Sequence, residues 1–272
     1  MLHIVIGISN ADSYIIHALT MLVSLFLNTK SVIMIHVIHD GSLAQQHIHS
    51  IRKIVAHFDQ HVAFYSIDDT TLAYMKSVES LVDKGCMYKL MCGKYIDAEE
   101  IIYVDCDMCF TIDIKKIFDF IHTSGCTTFA AVQDRAAYVK KQMAIYIESI
   151  GLDIKTYFNG GFFFANLKNL NDILPDFTKT TLDILTSSIK YPFADQDALN
   201  ILFAKLRPDI PITLLPDSFN YNIYAYNRTR LLEHQLQGKI IHYAYHKPWD
   251  KIFPAGIIYW KYREITQDIL QQ

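Results

Sequence analysis

The chain has 272 residues, of which 51% are hydrophobic and 19% charged, enough for one large α/β domain or two small ones. That composition excludes a disordered chain. A formal net charge of −3 gives no global pull toward nucleic acid, and the ending Asp268-Ile269-Leu270-Gln271-Gln272 is no basic membrane-binding tail.

Ile4-Val5-Ile6-Gly7-Ile8 reads as a first strand, followed by a polar loop and a helix with Asp12 or Ser13 as N-cap. The apolar stretch 14–27 is too short to cross a bilayer and is interrupted by His17, Thr20 and Ser24. No basic segment precedes it, so it is expected to be a buried helix packed on a sheet rather than a span or a signal peptide. Residues 32–37 and 62–67 predict the second and third strands, with a helix over about 43–57 between them. Strands alternating with helices of this length imply a mostly parallel, Rossmann-like sheet with right-handed crossovers, flanked by helices. Ligands of such sheets bind beyond the carboxyl ends of the strands. No G-x-G-x-x-G follows the first strand, so the dinucleotide fingerprint is missing.

A short helix is expected over 88–96. Then Ile101-Ile102-Tyr103-Val104 runs as a buried central strand into Asp105-Cys106-Asp107. Two carboxylates one residue apart repel unless a cation lies between them, and their hard oxygens suit Mg²⁺ or Mn²⁺. The loop carrying Asn10 and the Asp105–Asp107 pair should share one rim. Farther on, 112–121 predicts a helix, 127–132 a strand, and 138–150 a helix closed by Gly151. In Phe158-Asn159-Gly160-Gly161 the glycine pair suggests unusual backbone angles and close ligand approach, ahead of another apolar strand. Asp195-Gln196-Asp197 opens a helix that turns Leu199 and Leu202 inward. Ile240-Ile241-His242-Tyr243, Lys247-Pro248-Trp249 and a terminal helix from about 257 complete the chain. No repeat, low-complexity tract or linker interrupts it, so a single compact domain over 1–272 is expected. Five cysteines without metal-site spacing fit free thiols in a reducing cytosol.

With these pieces in this order, the sequence resembles glycosyltransferase family 8. The resemblance rests on Tyr103-Val104-Asp105-Cys106-Asp107, on Phe158-Asn159-Gly160-Gly161 with Asn166-Leu167-Lys168, on Asp195-Gln196-Asp197 with Leu199-Asn200, and on His242-Tyr243 with Lys247-Pro248-Trp249. It implies a GT-A fold, a UDP-sugar donor, a divalent metal (usually Mn²⁺) and retention of anomeric configuration. By position it makes Asp105, Asp107 and His242 the metal ligands. It assigns ribose and uracil contacts to Ile8, Asn10 and Asp12, although this first loop departs from the family's usual pattern. Lys89 stands where an Arg is common, Asn159, Asp195 and Gln196 line the donor sugar, and Lys247 reaches the diphosphate. The Gly that commonly follows His-Tyr is missing, and Tyr245-His246 occupies that stretch.

Retention requires either a double displacement on an enzyme nucleophile or a front-face reaction through an oxocarbenium-like ion pair. Gln196 matches the nucleophile position, but an amide is a poor nucleophile, which favours the front-face route with Asp195 holding sugar hydroxyls. The expected activity is hexosyl transfer, of glucose or galactose, to a glycan or a lipid- or protein-linked sugar. The expected location is the cytoplasm, next to the inner face of a membrane. An inactive sugar-nucleotide-binding subunit is the non-enzymatic alternative. A phosphohydrolase of the haloacid dehalogenase type fits less well, because its D-x-D follows the first strand and needs Thr or Val where Cys109 stands.

Overall fold

The computed structural model describes residues 1–9, 12–76, 84–136, 140–186, 192–206, 210 and 212–272. Seven strands form the main sheet: β1 (Leu2–Gly7), β2 (Ile33–His39), β3 (His61–Ser66), β4 (Glu100–Val104), β6 (Phe129–Gln133), β7 (Phe158–Asn166) and β8 (Ile212–Leu215), in the order β3-β2-β1-β4-β7-β6-β8. All pairings are parallel except those of β7, which runs against both neighbours. The sheet is therefore mixed and mostly parallel, as the alternation of strands and helices predicts. Its central strands β4, β6 and β7 are apolar on both faces because both faces are covered. Ile102 and Val104 join the core beneath the helices Asp12–Asn28 and Gln45–His57, while Ile101 and Tyr103 join the opposite core beneath Phe177–Leu185 and Ala194–Leu206. This is the two-residue period of a strand read from both sides.

The helix Asp12–Asn28 takes up the apolar stretch after β1, with Ala18, Met21, Leu22, Val23 and Leu25 fully buried. Among the described residues no helix is long and apolar enough to cross a membrane. The segment before β4 is a 3₁₀ helix, Lys84–Met91, followed by one α-turn, Cys92–Tyr95. The terminal helix is Ile257–Gln271.

Two features depart from the sequence reading. First, Gly160 and Gly161 are not a turn with unusual angles. They lie inside β7, and neither adopts positive φ, unlike Gly151, whose φ of +78° closes the preceding helix. Their use is space, since a Cβ on Gly161 would fall 2.6 Å from His242 Cε1 and 2.8 Å from Asp105 Oδ2. Second, a small sheet was not foreseen: β5 (Met108–Phe110), β9 (Tyr221–Asn222) and β10 (Ile240–His242), in the order β5-β10-β9. β10 pairs antiparallel with β5, placing His242 opposite Met108, and parallel with β9, placing it opposite Asn222. This sheet carries a residue from far along the chain to the end of β4.

Candidate active site

The site forms where the main sheet's parallel strands end and the reversed strand begins. β4 stops at Val104, and the ladder continues one step further, with Asp105 N–H donating to Gly161 O at 2.8 Å. On the small sheet, Tyr243 N–H donates to Asp107 O at 3.0 Å. The ligand-type atoms of Asp105, Asp107 and His242 consequently all lie within 4.8 Å of one another. Two carboxylates and an imidazole at this spacing fit a divalent cation of intermediate hardness.

Each carboxylate has a lysine. Lys89 Nζ, 1% exposed, lies 3.1 Å from Asp105 Oδ1 and 2.6 Å from Asp195 Oδ2. Burial alone would depress its pKa, but the two carboxylates reverse this and hold the ammonium above its ordinary value. Tyr103 Oη donates to Asp105 Oδ1 at 2.9 Å. Asp107 is buried, with His242 Nε2 at 3.3 Å from Oδ1 and the Lys247 ammonium on Oδ2. Burial pushes the Asp107 carboxyl up, yet Lys247 and His242 outweigh it and hold the group well below the usual carboxylate range.

A cavity of about 340 Å³ opens over these groups, lined by Ile8, Ser9, Tyr14, Cys86, Asp105 and Lys247 among others. Ile8, to which the resemblance assigns a nucleoside contact, lines this cavity. Asn10 lies outside the described residues, as does the side chain of Asp12. A larger cavity of about 510 Å³, between Lys94 and Asp183, includes none of the predicted site residues.

Asn159 and Gln196 sit beside the metal-type cluster, both buried. Gln196 Oε1 accepts from Gly160 N–H at 2.9 Å and from Asn159 Nδ2 at 3.0 Å, which engages both carbonyl lone pairs. Two further buried residues belong here that sequence reasoning did not select. Asp134 stands at the carboxyl end of β6, a position the rim rule could have flagged. Asn220 ends the short 3₁₀ helix Asp217–Asn220 just ahead of β9, with no motif to mark it. Tyr245 keeps a φ of +64°, the left-handed backbone that glycine favours, where the usual Gly is missing.

The loop bearing Lys247 is anchored by Trp249, which stacks on His17 with ring centroids 3.6 Å apart and planes at 13°. His17 Nδ1 also meets Tyr259 Oη at 2.6 Å. Burial, then Arg263 and Lys247, depress the His17 pKa to about 4 from 6.5. A base with a depressed folded pKa binds fewer protons in the native than in the unfolded state. Its stabilising contribution is therefore complete above pH 6.5 and lost as pH falls toward 4. Thermal unfolding followed over pH 4–7 should show that loss in the wild type. His17→Phe, which keeps the stack without a titrating group, should flatten that part of the profile, and an unchanged slope would exclude His17 as its source.

The glycosyl transferase family 8 model matches residues 3–253, nearly the whole described fold and every site residue above. The chain belongs to glycosyl transferase family 8. General stress protein A of Bacillus subtilis (strain 168) is 27% identical over 201 residues, covering 70% of this chain and 66% of that protein. Among solved structures, galactosyltransferase LgtC in complex with donor and acceptor sugar analogues superposes with a TM-score of 0.73 at 18% identity, covering 98% of this chain and 96% of LgtC. The bifunctional glycosyltransferase WbbM superposes with a TM-score of 0.72 at 17% identity. It covers 99% of this chain, which spans only 51% of WbbM. At these identities the superpositions show the fold, which is GT-A.

Proposed function

We propose that the family 8 chain is a single catalytic domain that transfers a hexose, glucose or galactose, from its UDP derivative to a saccharide acceptor, free or lipid- or protein-linked, with retained configuration. The observation carrying this reading is the convergence of Asp105, Asp107 and His242 beside a cavity that Asp105, Asp107 and Lys247 line. Mn²⁺, or Mg²⁺ in its place, would be held by these three residues and would neutralise charge on the departing diphosphate. The protein's own groups do the rest. Lys247, already at Asp107, adds a second positive centre on the leaving-group side. Lys89 fixes Asp105 and Asp195 relative to each other, so sugar positioning and metal binding share one buried cation. In this reading Asp195 holds donor hydroxyls and Asn159 lines the donor sugar. The engaged carbonyl of Gln196 supports a front-face reaction, because an oxygen already accepting two hydrogen bonds is a still poorer nucleophile. The five free cysteines are consistent with work on the cytoplasmic side of a membrane.

The test is a screen of UDP-sugars with Mn²⁺, following UDP release with and without simple saccharides and reading product stereochemistry by proton NMR. An inverted product would overturn the reading, and binding of UDP-sugar without any hydrolysis or transfer would favour an inactive subunit. Gln196→Ala should retain transfer with retained configuration while slowing it roughly a hundredfold, the loss of one preorganised polar contact of about 3 kcal/mol. A glycosyl adduct trapped on Gln196 or Asp195 would exclude the front-face route.

A further inference from the structure

Five buried side chains join the sugar end of the site to its metal end through one unbroken run of hydrogen bonds. Asp134, 1% exposed, accepts from Gln196 Nε2 at 2.9 Å, from Asn159 Nδ2 at 3.4 Å and from the Ala136 backbone N–H at 2.9 Å. Gln196 Oε1 accepts from Asn159 Nδ2, as above. Asn159 Oδ1 accepts from Gly161 N–H at 3.0 Å and from Asn220 Nδ2 at 2.8 Å. Asn220 Oδ1 faces His242 Nδ1 at 2.8 Å.

The direction of this run is dictated from fixed ends. A carboxylate of this kind accepts, so Gln196 must turn its amide nitrogen toward Asp134. Backbone N–H groups only donate, so the oxygens of Gln196 and Asn159 must face Gly160 and Gly161. Asn220 then has to donate to Asn159, and its oxygen is left toward His242. Turning the Asn220 amide over would set two oxygens against each other at one end and its NH₂ against the ring at the other. All four side chains beyond Asp134 are buried, 3–8% exposed, so water does not offer a substitute partner.

We infer that Asn220 is a positioning residue that holds a ring proton of His242 on Nδ1 and so presents Nε2, the nitrogen nearest Asp107, as the ligand atom for a divalent cation. Metal-bound histidines depend on such a partner for tautomer and ring orientation. Here the partner is itself oriented by the residues that face the donor sugar, through Asn159 and Gln196 back to Asp134. The consequence for metal binding rests on the proposed function, whereas the position of the proton does not.

The experiment uses the full-length chain labelled with ¹⁵N. In long-range proton–nitrogen spectra of the metal-free wild type, with the ring assigned by its loss in His242→Ala, Nδ1 should read as protonated. An unprotonated Nδ1 overturns the inference, whatever the variants do. Asn220→Ala should lose that single signature and bind Mn²⁺, titrated in the presence of UDP, roughly 10- to 100-fold more weakly. Asn220→Asp keeps an acceptor for Nδ1 but sets an oxygen against Asn159 Oδ1, so it should keep the Nδ1 proton signature while recovering only part of the affinity. An Asn220→Ala protein with wild-type spectrum and affinity, or an Asp variant that lacks the Nδ1 proton signature, would refute the role given to Asn220. Should the wild type bind no Mn²⁺ with UDP, the metal reading of the site fails, and the spectrum of the metal-free protein still decides where the proton sits.

Discussion

Replacing Asp107 by Ala should reduce metal-dependent UDP affinity by two orders of magnitude or more. The substitution removes one of the three groups that would hold the cation in the proposed reading and also leaves His242 and Lys247 without their shared counter-charge. Removing a residue that merely orients a metal ligand already costs about 10- to 100-fold in metal affinity, and removing a charged ligand itself should cost at least the upper end of that range. Titration calorimetry with UDP at fixed Mn²⁺ measures it directly. Asp107→Asn keeps the side-chain shape and an acceptor oxygen, so it should fall between wild type and Ala. Undiminished affinity in Asp107→Ala would take this residue out of the metal site altogether.

Lys89→Met should cost stability as much as activity. The lysine is wholly buried and faces two carboxylates, so its loss leaves Asp105 and Asp195 side by side without a cation. Breaking a buried ion pair from one side costs about 3–5 kcal/mol, and for a chain of this size that corresponds to a fall in Tm on the order of 10 °C. Scanning calorimetry of the metal-free protein tests this without any assumption about substrate. Adding Asp195→Asn to Lys89→Met should restore part of the loss by removing one of the two stranded charges. A Tm within a degree or two of wild type in Lys89→Met would mean that the two carboxylates do not need this cation.

Much of the main sheet was legible because its strands are apolar on both faces and alternate with amphipathic helices. The run Ile101–Val104 could hardly be anything but a buried strand, and the two aspartates after it fell on the rim as the topology requires. The small sheet was not legible. β5 and β10 are three residues long and β9 only two, too short for any period to declare itself. Their identity comes from pairing across the chain, which is a tertiary fact. The glycine pair was misread for a related reason. Composition says that glycine is needed, but only the packed neighbours say whether it supplies a dihedral angle or a vacant volume. Lys89 was legible only as a lysine standing where an Arg is common, and its place between Asp105 and Asp195 is a tertiary fact. Asn220 and Asp134 carry no motif of their own, and a neutral amide becomes meaningful only when its partners are known.

The contact between Lys247 and Asp107 spans 140 residues of chain. During synthesis from the N-terminus, β1 to β7 and the Asp-x-Asp rim are complete long before β10 and the Lys247 loop leave the ribosome. In the proposed reading the cation site therefore closes late, and a chain made only as far as β7 has two carboxylates after β4 without the His242 imidazole and Lys247 ammonium that meet Asp107. In that reading, competence to act on an activated sugar waits until the chain has been made through Lys247.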